Sequence, residues 1–211
     1  VGSVRTDFRE YHPGVAPADW SQQFQAVEAT IRSPPVSQPD RHYLSVLEVA
    51  GSSGHAALTL DPLPAVERWE FCARMFMVGA SLNLFWLRVS GTLGAENGVL
   101  LQSLVSDGQQ EFFARKYVAG VQGAPIALAP SSVPTLPWAP FILRAELDGA
   151  PGAGVIRWRA WPVGADEPSE WDAEANVDAS GSQLPATGVF AVAAQENLGD
   201  VRIDALSLAF E

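Results

Sequence analysis

The chain has 211 residues, 47% of them hydrophobic and 18% charged, with 18 glycines and 16 prolines. That length suits one domain, and the composition excludes disorder, a coiled coil and a helical bundle. Thirteen basic residues against 24 acidic ones give a net charge of −11, which repels phosphate backbones and anionic lipid and so excludes nucleic acid and membrane surfaces as partners.

Residues 1–40 carry Pro13, Pro17, Pro34, Pro35 and Pro39 and show little alternation. They read as an irregular N-terminal arm packed on a main domain over 41–211, serving assembly or docking more than the core. Within the arm, Asp19 suits a helix N-cap, and Trp20, Phe24, Val27 and Ile31 follow at helical spacing. Residues 29–32 fit a strand equally well. Val1 to Arg5 lack the apolar core of a secretory leader, so none is expected.

From residue 42 onward the apolar period is two. Strands are expected near 43–49, 56–60, 69–78, 82–89, 98–104, 110–118, 141–147, 155–161, 171–177, 187–194 and 201–210. Residues 118–143 hold Pro125, Pro130, Pro134, Pro137 and Pro140 and no charge. They read as a long loop with at most a short strand at 126–128. In 141–147, Phe141, Leu143, Ala145 and Leu147 share one face, and Asp148-Gly149 makes the turn that follows. In 155–161, Ile156, Trp158 and Ala160 point to a core, which turns Arg157, Arg159 and Trp161 outward. Arg115 and Tyr117 share a face of another strand.

Those five residues, Arg157, Arg159, Trp161, Arg115 and Tyr117, are the candidate glycan-binding set. Aromatic faces stack on sugar C–H groups, and arginine forks onto the carboxylates of acidic sugars. The alternative puts Trp86, Trp138 and Trp158 in the core and the arginines along a solvated face. Glu170, Asp172 and Glu174 alternate, so on a strand they would share a face, as a retaining glycosidase's carboxyl pair does. The alternative is a solvated acidic edge strand, and no catalytic residue is expected. His12, His42 and His55 are scattered and form no triad or zinc spacing. Cys72 alone forms no intrachain disulfide and reads as a small buried hydrophobe.

Three segments fall in a recognisable order. They are Tyr11-His12-Pro13-Gly14 running to Asp19-Trp20-Ser21, then Ile156-Arg157-Trp158-Arg159-Ala160-Trp161-Pro162 running to Glu167-Pro168-Ser169-Glu170-Trp171, and finally Thr187-Gly188-Val189-Phe190 with Val201-Arg202-Ile203-Asp204. This order resembles the concanavalin A-like jelly-roll modules, laminin-G-like and laminarinase-like, and more specifically those of tailed-phage virion and tail proteins. The match covers 11–32 and 140–210, and 40–140 agrees only in strand rhythm. The resemblance implies an all-β fold, a two-sheet antiparallel jelly-roll sandwich. It implies a non-enzymatic module recognising cell-surface glycan, virion-borne or extracellular, within an oligomeric assembly. A structural protein contacting other virion proteins, or a laminarinase-like glycoside hydrolase, are the alternatives it leaves open. No organic cofactor is implied. A structural calcium ion on Asp204 of the last strand is, although calcium takes six to eight oxygens and the sequence offers there one carboxylate; the alternative is that Asp204 faces solvent or caps a turn.

Overall fold

The computed structural model describes residues 2–8, 18–24, 27–32, 43–48, 56–60, 63–78, 81–92, 94–107, 109–131, 133, 139–149, 152–178, 184–194 and 200–211. Among them are fifteen strands and no helix: β1 (Gly2–Thr6), β2 (Trp20–Phe24), β3 (Val27–Arg32), β4 (Tyr43–Glu48), β5 (Ala56–Leu60), β6 (Trp69–Val78), β7 (Ser81–Ser90), β8 (Asn97–Ser106), β9 (Gln109–Val118), β10 (Val121–Pro130), β11 (Phe141–Asp148), β12 (Val155–Pro162), β13 (Ala173–Asn176), β14 (Val189–Ala194) and β15 (Asp200–Phe210). They form two antiparallel sheets. The first runs β13-β12-β11-β6-β15-β4-β3, with β1 also on β15, and the second runs β10-β9-β8-β7-β14-β5-β2.

Alternation along each strand sends one set of side chains between the sheets. Phe71, Ala73, Leu143, Ala145, Leu147, Ile156 and Trp158 come from the first sheet, and Phe85, Leu87, Val99, Leu101, Phe112, Ala114 and Val192 from the second. Aromatic rings interlock there: Phe71 lies 4.3 Å from Phe85 and Phe112 lies 5.3 Å from Trp158, centroid to centroid. The Trp158 indole donates to the Ala127 carbonyl at 3.1 Å, so its one polar atom is satisfied inside the core. The inward assignment of Ile156, Trp158 and Ala160 therefore holds.

Two expectations need correction. The arm over 1–40 is not irregular where it is described, and it joins the sheets themselves. β1 pairs with β15, β2 with β5 and β3 with β4. Phe8 and Trp20 are core residues 6.0 Å apart. The helical spacing from Trp20 to Ile31 is coincidental, because the chain crosses there from one sheet to the other. The proline-rich loop is also largely a strand: β10 pairs with β9 over 121–130, with irregularities between Gln122 and Pro125 and between Ile126 and Ala129. β10 is an edge strand with β9 as its one ladder partner, so a proline that lacks an N–H can face away from the ladder.

A buried tie joins distant parts of the chain. Arg88 is fully buried, has a left-handed φ of 54°, and sits at an irregularity of the β7–β8 ladder. Its Nε donates to the Glu67 carbonyl at 3.0 Å, and Nη2 donates to the same carbonyl and to that of Gly149 at 2.7 Å. Burial lowers its pKa, and the neighbouring Asp178 carboxylate opposes that shift. Asp178 in turn accepts from the backbone of Gly152 at 2.9 Å and of Leu184 at 3.1 Å, with Lys116 Nζ 3.8 Å away.

Candidate functional site

The five predicted ligand residues divide between the two sheets. Arg157, Arg159 and Trp161 lie on β12 of the first, Arg115 and Tyr117 on β9 of the second. They do not form one site.

On the second sheet, Tyr117 is buried with its ring centroid 5.0 Å from that of Trp86, in a second apolar cluster with Leu100, Ala57, Ala191 and Ala193. Trp86 belongs to this cluster and not to the inter-sheet core. Burial pushes the Tyr117 phenol up to about 12. Arg115 lies over Phe113, 5.4 Å from its centroid, and donates weakly to the Gly123 carbonyl at 3.4 Å.

On the first sheet, strand register builds the outer face in rows. Glu70, Glu146, Arg157 and Glu174 stand side by side across β6, β11, β12 and β13. Cys72, Arg144 and Arg159 make the next row, and Arg74, Ile142 and Trp161 the third. Like charges directly opposite one another are unfavourable, and each such contact here is bridged. Arg68 reaches Glu146 at 3.0 Å and Glu70 at 4.0 Å. Glu167 bridges Arg144, at 2.9 Å, and Arg159. Arg144 also holds Glu70, and Arg157 holds Glu146 at 2.9 Å.

The expected cationic stripe is thus neutralised, which corrects the reading of an acidic-sugar face. Among the described residues, Arg68, Arg74, Arg144, Arg157 and Arg159 face Glu70, Glu146, Asp148, Glu167, Glu174, Asp204 and Glu211. Trp161 needs correction too. It shares the outward parity of Arg157 and Arg159, yet it is only 5% exposed beside Ile142 and offers no ring to a ligand.

The segment after β12 supplies the aromatic instead. It folds back over the strand: Arg159 Nη1 donates to the carbonyls of Pro168 at 2.6 Å and Ser169 at 3.3 Å. Trp171 then lies across both arginines, its ring centroid 4.9 Å from the Arg157 guanidinium carbon and 4.5 Å from that of Arg159, a cation–π arrangement. Arg157 also lines a pocket of about 280 Å³ with Asp148, Gly149, Ala153, Val155 and Glu174. Trp171 is the aromatic ring on this face that the sequence did not single out. The signal available was its position after the Pro162–Gly164 turn, which returns the chain along β12.

The Glu170, Asp172 and Glu174 triplet does not share a strand face. β13 begins only at Ala173, Glu170 is exposed ahead of it, and Glu174 lies 3.8 Å from Arg157. Asp172 caps the edge of β12: its Oδ2 accepts from Ala160 N–H at 2.9 Å, and its own N–H donates to the Trp158 carbonyl at 2.9 Å. Burial raises the Asp172 pKa, opposed by the Ala160 hydrogen bond and by Arg159. A pKa raised in the folded state makes the native protein take up this proton first. The stability it contributes is full below the unfolded pKa and is lost as pH rises through the folded value. Asp172→Asn keeps the acceptor and removes the charge. The expected result is unchanged or higher stability at neutral pH and loss of that part of the acid-range dependence, read from urea midpoints at several pH values. A clear fall in the neutral-pH midpoint would show that the charge itself is needed.

The calcium expectation at Asp204 also changes. Asp204 is buried, and Arg74 Nε donates to its Oδ1 at 2.6 Å. A guanidinium meets the carboxylate where a cation would sit, and among the described residues no group of three or more His, Cys, Asp or Glu could hold a metal ion. Those residues do not fit calcium. Cys72 is half-buried with its thiol pKa raised by that burial. His12, His42, His55 and Trp138 lie outside the described residues.

No protein-family model matches the chain, and no curated protein matches it. Solved structures do. A protein titled cellulose induced protein, Cip1, superposes with a TM-score of 0.55 at 12% identity, over 98% of this chain and 96% of that one. The exoplasmic/lumenal domain of VIP36, in a form bound to Ca2+ and Man3GlcNAc, gives 0.51 at 10% identity over 90% and 88%. The Bacteroides ovatus xyloglucan protein GH43B gives 0.55 at 13% identity over 99% of this chain, which spans 39% of that protein's length. At these identities the likeness is one of fold, and the fold is the lectin-like, concanavalin A-like jelly-roll sandwich.

Proposed function

We propose that this sandwich is a glycan-binding module whose sugar contacts lie on the outer face of the first sheet. The observation that carries the reading is the Trp171 ring laid across Arg157 and Arg159, with Arg157 also lining a pocket together with Asp148 and Glu174. Sugar recognition needs an apolar plate for the C–H face of a pyranose and fixed polar groups for its hydroxyls. Trp171 supplies the first. The Asp148 and Glu174 carboxylates supply acceptors for the second. The arginines hold the ring in place, so little side-chain freedom remains to be lost on binding. That the VIP36 domain has a form bound to Man3GlcNAc agrees with a sugar ligand on this fold. The virion setting rests on the sequence resemblance alone.

Titration calorimetry against a panel of oligosaccharides tests the reading. Trp171→Ala is expected to weaken the best binder by about 1–3 kcal/mol, by analogy with stacking of nucleobases on aromatic side chains. Arg115→Ala, on the other sheet, should leave affinity unchanged. Binding that survives Trp171→Ala and falls with Arg115→Ala would move the site to the second sheet. Reducing-end release that depends on Glu174 would replace the binding reading with a hydrolytic one.

A further inference from the structure

We infer that the sugar selected by this pocket carries a free amino group, an inference that rests on the glycan-binding reading above. The charges left available at the pocket are negative. Arg157, the one guanidinium lining it, is committed elsewhere: Nε and Nη2 donate to Glu146 at 3.2 and 2.9 Å, and its flat face lies against Trp171. Glu146 is 3% exposed, so that pair is shielded from solvent on the carboxylate side. The two carboxylates lining the pocket are the opposite case. The Asp148 side chain is 55% exposed and that of Glu174 57%, and their ion-pair contacts to Arg68 and Arg157 are long, at 3.9 and 3.8 Å.

Register fixes how these two carboxylates stand. Asp148 is opposite Val155 and Glu174 is opposite Arg157, on the two strands flanking β12. Two strand spacings, about 10 Å, and an offset of two residues, about 7 Å along the strand, put their backbones about 12 Å apart. One pyranose fits between such walls, over a floor of Val155 and the Arg157 stem. A volume of about 280 Å³ suits one sugar residue and not a long chain segment. A uronate or sialate would place its carboxylate between two others. A neutral sugar would gain hydrogen bonds alone. An ammonium would gain both hydrogen bonds and attraction from either wall. The net charge of −11 draws a cationic polymer toward the protein as a whole.

The test uses the full chain and four probes of similar length: a glucosamine oligomer, its fully N-acetylated form, a uronic acid oligomer and oligolysine. Affinities are measured by calorimetry at low and high salt. The glucosamine oligomer is expected to bind about tenfold tighter than the acetylated form. That preference should shrink with salt, and the uronate should not bind. In an Asp148→Asn, Glu174→Gln variant, whose exposed positions leave the fold intact by circular dichroism, the preference should disappear and the two oligomers should bind equally. Equal or better binding of the acetylated or uronate oligomer to the parent chain overturns the amino-sugar inference and leaves glycan binding standing. Oligolysine binding as tightly as glucosamine shows an amine site indifferent to sugar, and also overturns it. Absence of binding to every sugar overturns both readings.

Discussion

Arg88→Ala is expected to lower stability by about 3 kcal/mol or more, the scale seen when one partner of a buried charged group is removed. At roughly 2–4 °C per kcal/mol for a chain of this size, the melting midpoint falls by on the order of 10 °C. The Arg88 side chain donates to carbonyls at Glu67 and Gly149, which lie before β6 and after β11, so its loss frees two connections from β7 at once. Asp178 also loses a neighbouring cation and keeps Lys116 at 3.8 Å. The backbone adds a second, separable effect. Arg88 has a φ of 54°, a region that glycine occupies without strain. Arg88→Gly should therefore destabilise less than Arg88→Ala, by roughly 0.5–1 kcal/mol. A midpoint shift of under about 2 °C for Arg88→Ala would mean that the tie carries no stability.

Gly188→Ala is expected to be about as damaging, for a different reason. A Cβ there would lie 2.3 Å from the Arg88 carbonyl carbon and 2.4 Å from its oxygen, and both are backbone atoms that cannot swing aside. The Gly188 N–H and C=O exchange hydrogen bonds with Val66 at 3.1 and 3.0 Å, and its carbonyl also accepts from the Trp69 indole at 2.7 Å. Accommodating one methyl group requires β7 and the 188 segment to part, which breaks those contacts. Overpacking of this kind costs about 1–3 kcal/mol, and more where backbone must move. Urea denaturation of Gly188→Ala, Arg88→Ala and the double variant checks this. The clash is with the Arg88 backbone, which Arg88→Ala keeps, and the tie is made by its side chain, so the double variant should lose more than either single variant. A Gly188→Ala midpoint equal to the parent's would refute the close approach.

Much of the sandwich was legible because period-two alternation is written residue by residue. Phe141 to Leu147 and Val155 to Trp161 alternate cleanly, and both form strands paired as a hairpin through Gly149. β10 was not legible, because prolines forbid a ladder donor only on a paired edge, and the sequence does not reveal which edge is paired. Parity correctly put Arg157, Arg159 and Trp161 on the outward side. It could not reveal that Trp161 is buried there or that Trp171 lies over Arg157 and Arg159. It also could not pair Arg144 with Glu70, or Arg157 and Arg68 with Glu146, across up to 78 positions of sequence. Nor does parity say which sheet a strand joins, so Arg115 and Tyr117 were grouped with residues of the other sheet.

The place of β15 in the first sheet has a consequence for synthesis. Last of the fifteen strands in chain order, it lies between β6 and β4 and also carries β1 along 206–210. Until residues 200–210 have left the ribosome, β6 faces an empty lane on one side, and β4, β3 and β1 have nothing to join them to it. Ile203, Leu206 and Leu208 are likewise missing from the core. Hydrophobic strand edges therefore stay open until β15 is made, the condition under which nascent β proteins aggregate or engage chaperones. Closure is a late, long-range event and a slow one. Yield in a cell should depend on how fast β15 is delivered more than on the stability of the finished sandwich.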